Sequence, residues 1–200
     1  MSRYTGPRVR VMRALGMNLP GLSAKTMEKR PHPPGQHVSR VKRKVSLYAQ
    51  RLREKQKLRF HYGLTERQLA TLAWMAARAK APVGTALAQL LERRIDNIVF
   101  RAGFARTIPA ARQLVCHGHV AVNDRVLDIP SARLRRGDLV SVRAGAIPAV
   151  RLQQAKGATL ERPDWLEIND EACTARLMVL PDQAAIPFPI EMGLVVEFYS

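Results

Sequence analysis

Between Leu87 and Val142 the spacing of apolar residues changes from three or four to two, so this stretch must fold as helices followed by short strands. Leu87, Leu91, Ile95, Ile98, Val99 and Ala102 recur at helical spacing and predict one helix with an apolar stripe. Arg93, Arg94 and Arg101 fall largely off that stripe. A second helix is predicted after a Thr107 cap, with Pro109 tolerated in its first turn and Gly118 as a left-handed stop. It would carry Ala111, Leu114 and Val115 inward and turn Arg106 and Arg112 out. Beyond it, Val120, Val122 and Val126 flank a turn at Asn123 and Asp124, and Leu134 to Val142 is interrupted by a turn at Gly137 and Asp138. The expected class is therefore α+β, with a basic helical face beside a small sheet. From these elements alone, any small α+β domain with a basic surface fits as well as a nucleic-acid binder.

Charge narrows the choice. The 200 residues carry a formal net charge of +17 and a pI near 11.1, too one-sided for an ordinary soluble enzyme. The excess is graded along the chain. Residues 1–60 hold 16 Lys plus Arg against 2 acids, residues 61–150 hold 13 against 6, and residues 151–200 reverse the balance with 4 against 8. The basic and acidic ends are expected to face different partners. A membrane surface would require a bulky amphipathic helix or a lipidation signal, and Met1-Ser2-Arg3-Tyr4 offers neither. No apolar run approaches the roughly 20 residues needed to span a bilayer, and no secretory signal is visible. Cys116 and Cys173, two isolated thiols without a framework, favour a reducing compartment.

The basic end reads as three pieces. Ser2 to Arg30 shows little periodicity and is expected to gain order only on RNA. Pro31-His32-Pro33-Pro34-Gly35 imposes a bend. From Val45 to Tyr62 a helix is predicted in which Val45, Tyr48 and Leu52 pack, while Arg51, Lys55 and Arg59 line another face at i, i+4 and i+8. Glu54 is the only acid between Lys29 and Arg59, so the aligned cations repel unless an anion lies opposite, and phosphates are the expected counter-charge. Tyr48, Phe60 and Tyr62 lie among these charges and suit either base stacking or core. Thr65-Glu66-Arg67-Gln68 then fits a capping box for a helix burying Leu69, Leu72, Ala73 and Ala76, flanked by Trp74. Lys80-Ala81-Pro82-Val83-Gly84 breaks that helix and reads as a linker.

Enzymatic motifs are missing: there is no Gly-rich phosphate loop, nucleophile elbow or His-Glu-x-x-His site. His117 and His119 alternate like strand neighbours, but two imidazoles without a cysteine or carboxylate cluster make a poor metal site. RNA contact or plain surface is the expectation for both, and no cofactor or metal is expected.

The run Leu90-Leu91-Glu92-Arg93-Arg94-Ile95-Asp96-Asn97 through Val142-Arg143 closely resembles the small RNA-binding module named after the fourth protein of the small ribosomal subunit. That module also occurs in some pseudouridine synthases and tyrosyl-tRNA synthetases. Outside it, Pro34-Gly35-Gln36-His37, Leu52-Arg53-Glu54-Lys55-Gln56-Lys57, Tyr62-Gly63, Trp165-Leu166-Glu167 and Val195-Val196-Glu197-Phe198-Tyr199-Ser200 resemble the ribosomal family itself, in order along nearly the whole chain. The resemblance implies a basic arm over 1–44, a helical domain over 45–89 completed by 152–200, and the module inserted over 90–151. It implies a structural, non-enzymatic protein of the ribosome, in the cytoplasm or in an organelle. Such a protein binds the five-prime domain of small-subunit rRNA at a junction of several helices, early in assembly, and contributes to decoding accuracy.

Expected RNA contacts are Arg93, Arg94, Arg106, Arg112, His117 and Asn123 in the module, with Arg51, Arg53, Lys55, Lys57 and Arg59 in the helical domain. By analogy Arg40, Lys42, Arg43 and Lys44 would guide mRNA at its entrance, and the third and fifth small-subunit proteins would be neighbours, without self-association or a membrane. Glu191 and Glu197, set around Leu194, Val195, Val196 and Phe198, suit either a protein-facing surface or a final element closing the helical domain. Relatives often hold a metal through cysteines in the arm; residues 1–115 contain none. Asp96 reads as an ion-pair partner for Arg93 and Arg94. The alternatives are an RNA-modifying enzyme, such as a pseudouridine synthase, or a stress factor binding free subunits, each carrying the same module.

Overall fold

A computed structural model describes residues 4–35, 45–157 and 159–199. Among these the fold is α+β, as the change of period predicts. Helix α2 (Leu47–His61) starts at Ser46, whose hydroxyl accepts from the Ala49 N–H. Helix α3 (Glu66–Ala77) starts at the predicted capping box, with both reciprocal Thr65–Gln68 bonds made and Leu69, Leu72, Ala73 and Ala76 buried. Helix α4 (Val83–Glu92) packs on α3, and helix α8 (Met192–Tyr199) lies along α2 and also touches α3 and α4. The carboxyl-terminal segment thus closes the helical body as its last helix.

The amino-terminal segment departs from expectation. Residues Arg8–Leu15 form helix α1, ended by a left-handed Gly16, and Met12, Leu19 and Leu22 enter the same core as α2 and α3. The apolar side chains of Val9, Met12 and Leu15 supply a stripe too short to stand out in a basic sequence, and packing does the rest. Gly21 makes the docking feasible. Its N–H donates to His61 Nδ1 at 3.4 Å, its carbonyl accepts from the Ile108 N–H at 2.8 Å, and a Cβ there would sit 2.7 Å from the His61 carbonyl oxygen. The proline-rich bend returns to α1, where Arg13 donates to the carbonyls of His32 and Pro33.

The long apolar stripe predicted from Leu87 to Ala102 belongs to two helices, α4 and α5 (Ile95–Arg101). The chain is extended at Arg94 and pairs there with residues 130–134: Ile95 N–H donates to the Ala132 carbonyl, Asp96 N–H to that of Pro130, and Leu134 N–H to that of Arg93. Every apolar residue of the stripe is nevertheless buried, because the break falls between turns and keeps both faces inward. Helix α6 (Ile108–Cys116) follows as predicted, capped by Thr107 and stopped with Gly118 at φ 68°.

The sheet is antiparallel in the order β2-β1-β3-β5-β4. Strands β1 (Val120–Val122) and β2 (Arg125–Val126) join through Asn123 and Asp124, both at positive φ as a type I′ turn requires. Strand β3 (Leu139–Val142) pairs with β1 on one side and with β5 (Thr174–Leu177) on the other, while β4 (Leu166–Asn169) forms the outer edge. Residues 166–177, expected to rejoin the helical body, therefore extend the module's sheet instead; helix α7 (Ile147–Ala155) leads into them. The physical reason is the alternation in Leu166-Glu167-Ile168-Asn169 and Thr174-Ala175-Arg176-Leu177, which turns Leu166, Ala175 and Leu177 into the core.

Candidate nucleic-acid interface

The aligned cations of α2 find their counter-charge inside the protein. Arg51 Nη2 lies 2.7 Å from Glu197 of α8, and Lys55 Nζ lies 2.9 Å from Glu66 at the start of α3. Arg59 Nε stands 4.0 Å from the same Glu66, and Lys57 pairs with Glu54. Lys55 is only 5% exposed, its ammonium also resting 4.1 Å from the centre of the Phe198 ring. Burial alone would raise the Glu66 carboxyl, but hydrogen bonds from Lys55 and Tyr199 and the nearby charges of Lys55 and Arg59 hold it below the usual value. Acids distant in sequence thus supply the anions opposite this face, so its alignment does not require phosphates. Arg53, facing away, is exposed and makes no ion pair among the described residues. The apolar expectation for α2 shifts too. Val45 and Tyr48 are exposed, Tyr48 at 64%, whereas Leu58 and His61 are buried. Tyr62 is core, and Phe60 packs edge-on against Tyr4.

Two module arginines are likewise internal. Arg94, 5% exposed, grips Asp96 through Nε at 3.0 Å and Nη2 at 2.8 Å. Arg112 reaches the same carboxylate at 2.7 Å and also donates to the carbonyls of Gly63 at 2.9 Å and Tyr62 at 3.2 Å. Asp96 therefore pairs with Arg94 and Arg112 rather than with Arg93, and Arg112 ties α6 to the turn between α2 and α3. A second buried group lies beside it: Glu92 accepts from the Tyr62 hydroxyl and from Asn97 Nδ2, with Arg101 Nε 3.6 Å away. Burial raises the Glu92 carboxyl, opposed by Arg101 and by the Tyr62 and Asn97 hydrogen bonds.

The remaining predicted residues of the module are accessible. Arg93 is half-buried, donating from Nε to the Leu134 carbonyl at 2.7 Å. Burial and the charges of Arg133 and Arg135 together depress its guanidinium, against a smaller opposing pull from Asp138. Arg106 shares an open cleft of about 680 Å³ with Arg8 and Lys25 at the start of α1. His117 is exposed at the end of α6, its ring 6.0 Å from that of His119. Asn123 is exposed in its turn, with its amide bonded to Asp138 Oδ1 and its carbonyl oxygen to the Leu139 N–H. Arg40, Lys42, Arg43 and Lys44 lie outside the described residues.

What the sequence reading missed is a cationic surface on the seam between α3 and the module. Arg133, Arg135 and Arg136 are exposed, and Arg133 and Arg135 repel Arg93. Arg133 Nη1 reaches Met75 of α3, 3.8 Å from its sulfur. On α3 itself Arg67, Thr71, Trp74 and Arg78 share one exposed face at spacings of four, three and four. Trp74 is 55% exposed, and the Arg78 guanidinium lies 3.5 Å from the centre of its ring. The signal available was the alternation Arg133-Leu134-Arg135, with only the leucine buried. Among the described residues no group of three or more His, Cys, Asp or Glu side chains could hold a metal, and no helix is long and apolar enough to cross a membrane.

Residues 3–92 match the family model for the ribosomal protein S4/S9 N-terminal domain, and residues 93–140 match the S4 domain. The junction of the two falls at the extended break between α4 and α5. Over the full chain the sequence is 51% identical to the small ribosomal subunit protein uS4 of Methylobacillus flagellatus and 50% identical to uS4B of Nitrosomonas europaea, with 98% of each relative covered. It is 45% identical to uS4c of Cyanophora paradoxa, with both chains covered in full. The chain belongs to the uS4 family of small ribosomal subunit proteins.

Proposed function

We propose that this chain is a structural, non-enzymatic constituent of the small ribosomal subunit that binds its rRNA, and that the Arg93–Arg133–Arg135 surface with the Arg67–Trp74–Arg78 face of α3 is the core of the contact. One observation carries this reading: the exposed Arg133 and Arg135 crowd Arg93, and among the described residues Asp138 is the acid set against them, so the group gains most when a polyanion arrives. Arg53, Arg106, His117 and Asn123 extend the contact, whereas Lys55, Arg94 and Arg112 support it from within. Exposed Trp74 offers a flat face to an unpaired base. Affinity comes mainly from phosphates and RNA shape, because the deep groove of A-form RNA is closed to side chains.

The finer reading places the protein at a multi-helix junction in the five-prime domain, early in assembly, beside the third and fifth small-subunit proteins and close to the mRNA entrance, with Arg40, Lys42, Arg43 and Lys44 toward the message. The relatives, named as ribosomal proteins over their full lengths, lend no support to the modifying-enzyme or free-subunit alternatives. The test is a footprint of the full chain on small-subunit rRNA at low and high salt. Protection confined to one junction and lost steeply with salt is expected; protection that ignores salt, or none at any salt, refutes the reading.

A further inference from the structure

Helices α6 and α7 enclose a cleft of about 210 Å³ that shares only His117 with the contacts above. Its floor is apolar, built from Leu114, Ala110 and Ala149 and backed by the buried Phe104 and Val150. Its rim is polar. Gln113 and His117 line it from α6, Gln153 from α7, and His119 from the approach to β1. None of these four side chains makes a hydrogen bond among the described residues; the two imidazole rings stand edge to face with their centres 6.0 Å apart. Each can donate and accept, so the rim presents a mixed hydrogen-bonding edge above an apolar slot.

We infer that this cleft receives one unpaired nucleobase of the bound RNA. A cavity of roughly 150 Å³ lined by apolar side chains holds a benzene-sized ring. The space here therefore admits a heterocycle whose face lies on Leu114, Ala110 and Ala149 and whose edge meets the amides and imidazoles. A polyanion rather than a purely apolar partner is indicated by Arg143. Its backbone N–H donates to the His119 carbonyl at 2.9 Å and its guanidinium to the Gly118 carbonyl at 3.1 Å, which fixes an exposed cation beside the rim residue His119, available to the phosphate of an extruded nucleotide. Sequence-specific RNA recognition works in this manner, on unstacked bases held by face and edge. The inference rests on the rRNA-binding reading and adds to it a site that reads base identity.

The test uses the full chain, a transcript of the five-prime domain of small-subunit rRNA, chemical probing of base edges, and two variants. Ala149 is exposed on α7 at the cleft, so Ala149→Phe fills the slot from a position that tolerates bulk. It should weaken binding roughly tenfold, the size of one stacked base, and restore reactivity at one unpaired nucleotide shielded in the wild-type complex. Gln113→Leu/Gln153→Leu keeps the slot but removes the two amides of its edge; it should discriminate among bases at that nucleotide several-fold less than the wild type does. Equal binding by the wild type and Ala149→Phe, with no nucleotide regaining reactivity, overturns the inference while leaving rRNA binding intact. Failure of the wild-type chain to bind the transcript sinks both. Shielding that appears only when other small-subunit proteins are present assigns the cleft to a protein side chain and overturns it as well. Should Ala149→Phe melt early, the double variant alone decides.

Discussion

Asp96 shows how a residue beside two arginines in sequence is recruited by a third from another helix. Its carboxylate is buried between Arg94 and Arg112, and neither guanidinium has another acid within reach among the described residues. Asp96→Asn keeps the shape but removes the charge, leaving two cations uncompensated, and should cost about 3–5 kcal/mol in denaturant unfolding. A loss under about 1 kcal/mol would mean that water already shares the site. His61 makes a different prediction. It is fully buried against Tyr62, Phe100 and Phe188, and burial, aided by the positive charge of Arg101, lowers its pKa to about 3. The folded protein therefore keeps it neutral while the unfolded chain, near 6.5, takes up a proton. Stability is unaffected above that value and falls as pH drops through the window from 6.5 toward 3. Between pH 7 and 5 the wild type should lose about 2 kcal/mol relative to His61→Gln, read as a narrowing gap in unfolding midpoint.

Caps and turns were the most legible elements, because their chemistry is local. Thr65 with Gln68, Thr107, Gly118 and the Asn123–Asp124 pair all do what their residue types dictate. Thr65→Ala should remove about 1 kcal/mol from thermal stability without changing the fold, and an unchanged melting temperature would show that packing alone defines that end of α3. The role of α2 was not legible, since the anions opposite its basic row, Glu66 and Glu197, stand 11 residues from Lys55 and 146 from Arg51. A period can mark a charged row but not what a later helix lays against it. The break between α4 and α5 was hidden for a related reason: apolar spacing runs through it unbroken, and only the pairing of Arg94 with Arg133 reveals it. The amino-terminal helix was masked by the charges that surround its short apolar stripe.

Taken together, the chain is a cationic protein that has already spent part of its charge on itself. The row on α2 binds α8 and α3, Arg94 and Arg112 bind Asp96, and among the described residues exposed arginines remain on the module, on α3 and, as Arg53, on α2. Of the site residues named from sequence, Arg53, Arg93, Arg106, His117 and Asn123 are accessible, while the exposed Arg133 and Arg135 were not among them. Salt dependence separates the two populations, since each phosphate contact adds roughly 0.7 to 0.9 to the magnitude of the log–log slope of affinity against salt. The decisive comparison is that slope for the full chain on small-subunit rRNA, in Arg133→Gln/Arg135→Gln and in Arg51→Gln/Arg59→Gln. The first pair should flatten the slope by about 1.5 while the second leaves it unchanged. A slope that flattens only in the second pair would return the RNA contact to α2 and contradict the account.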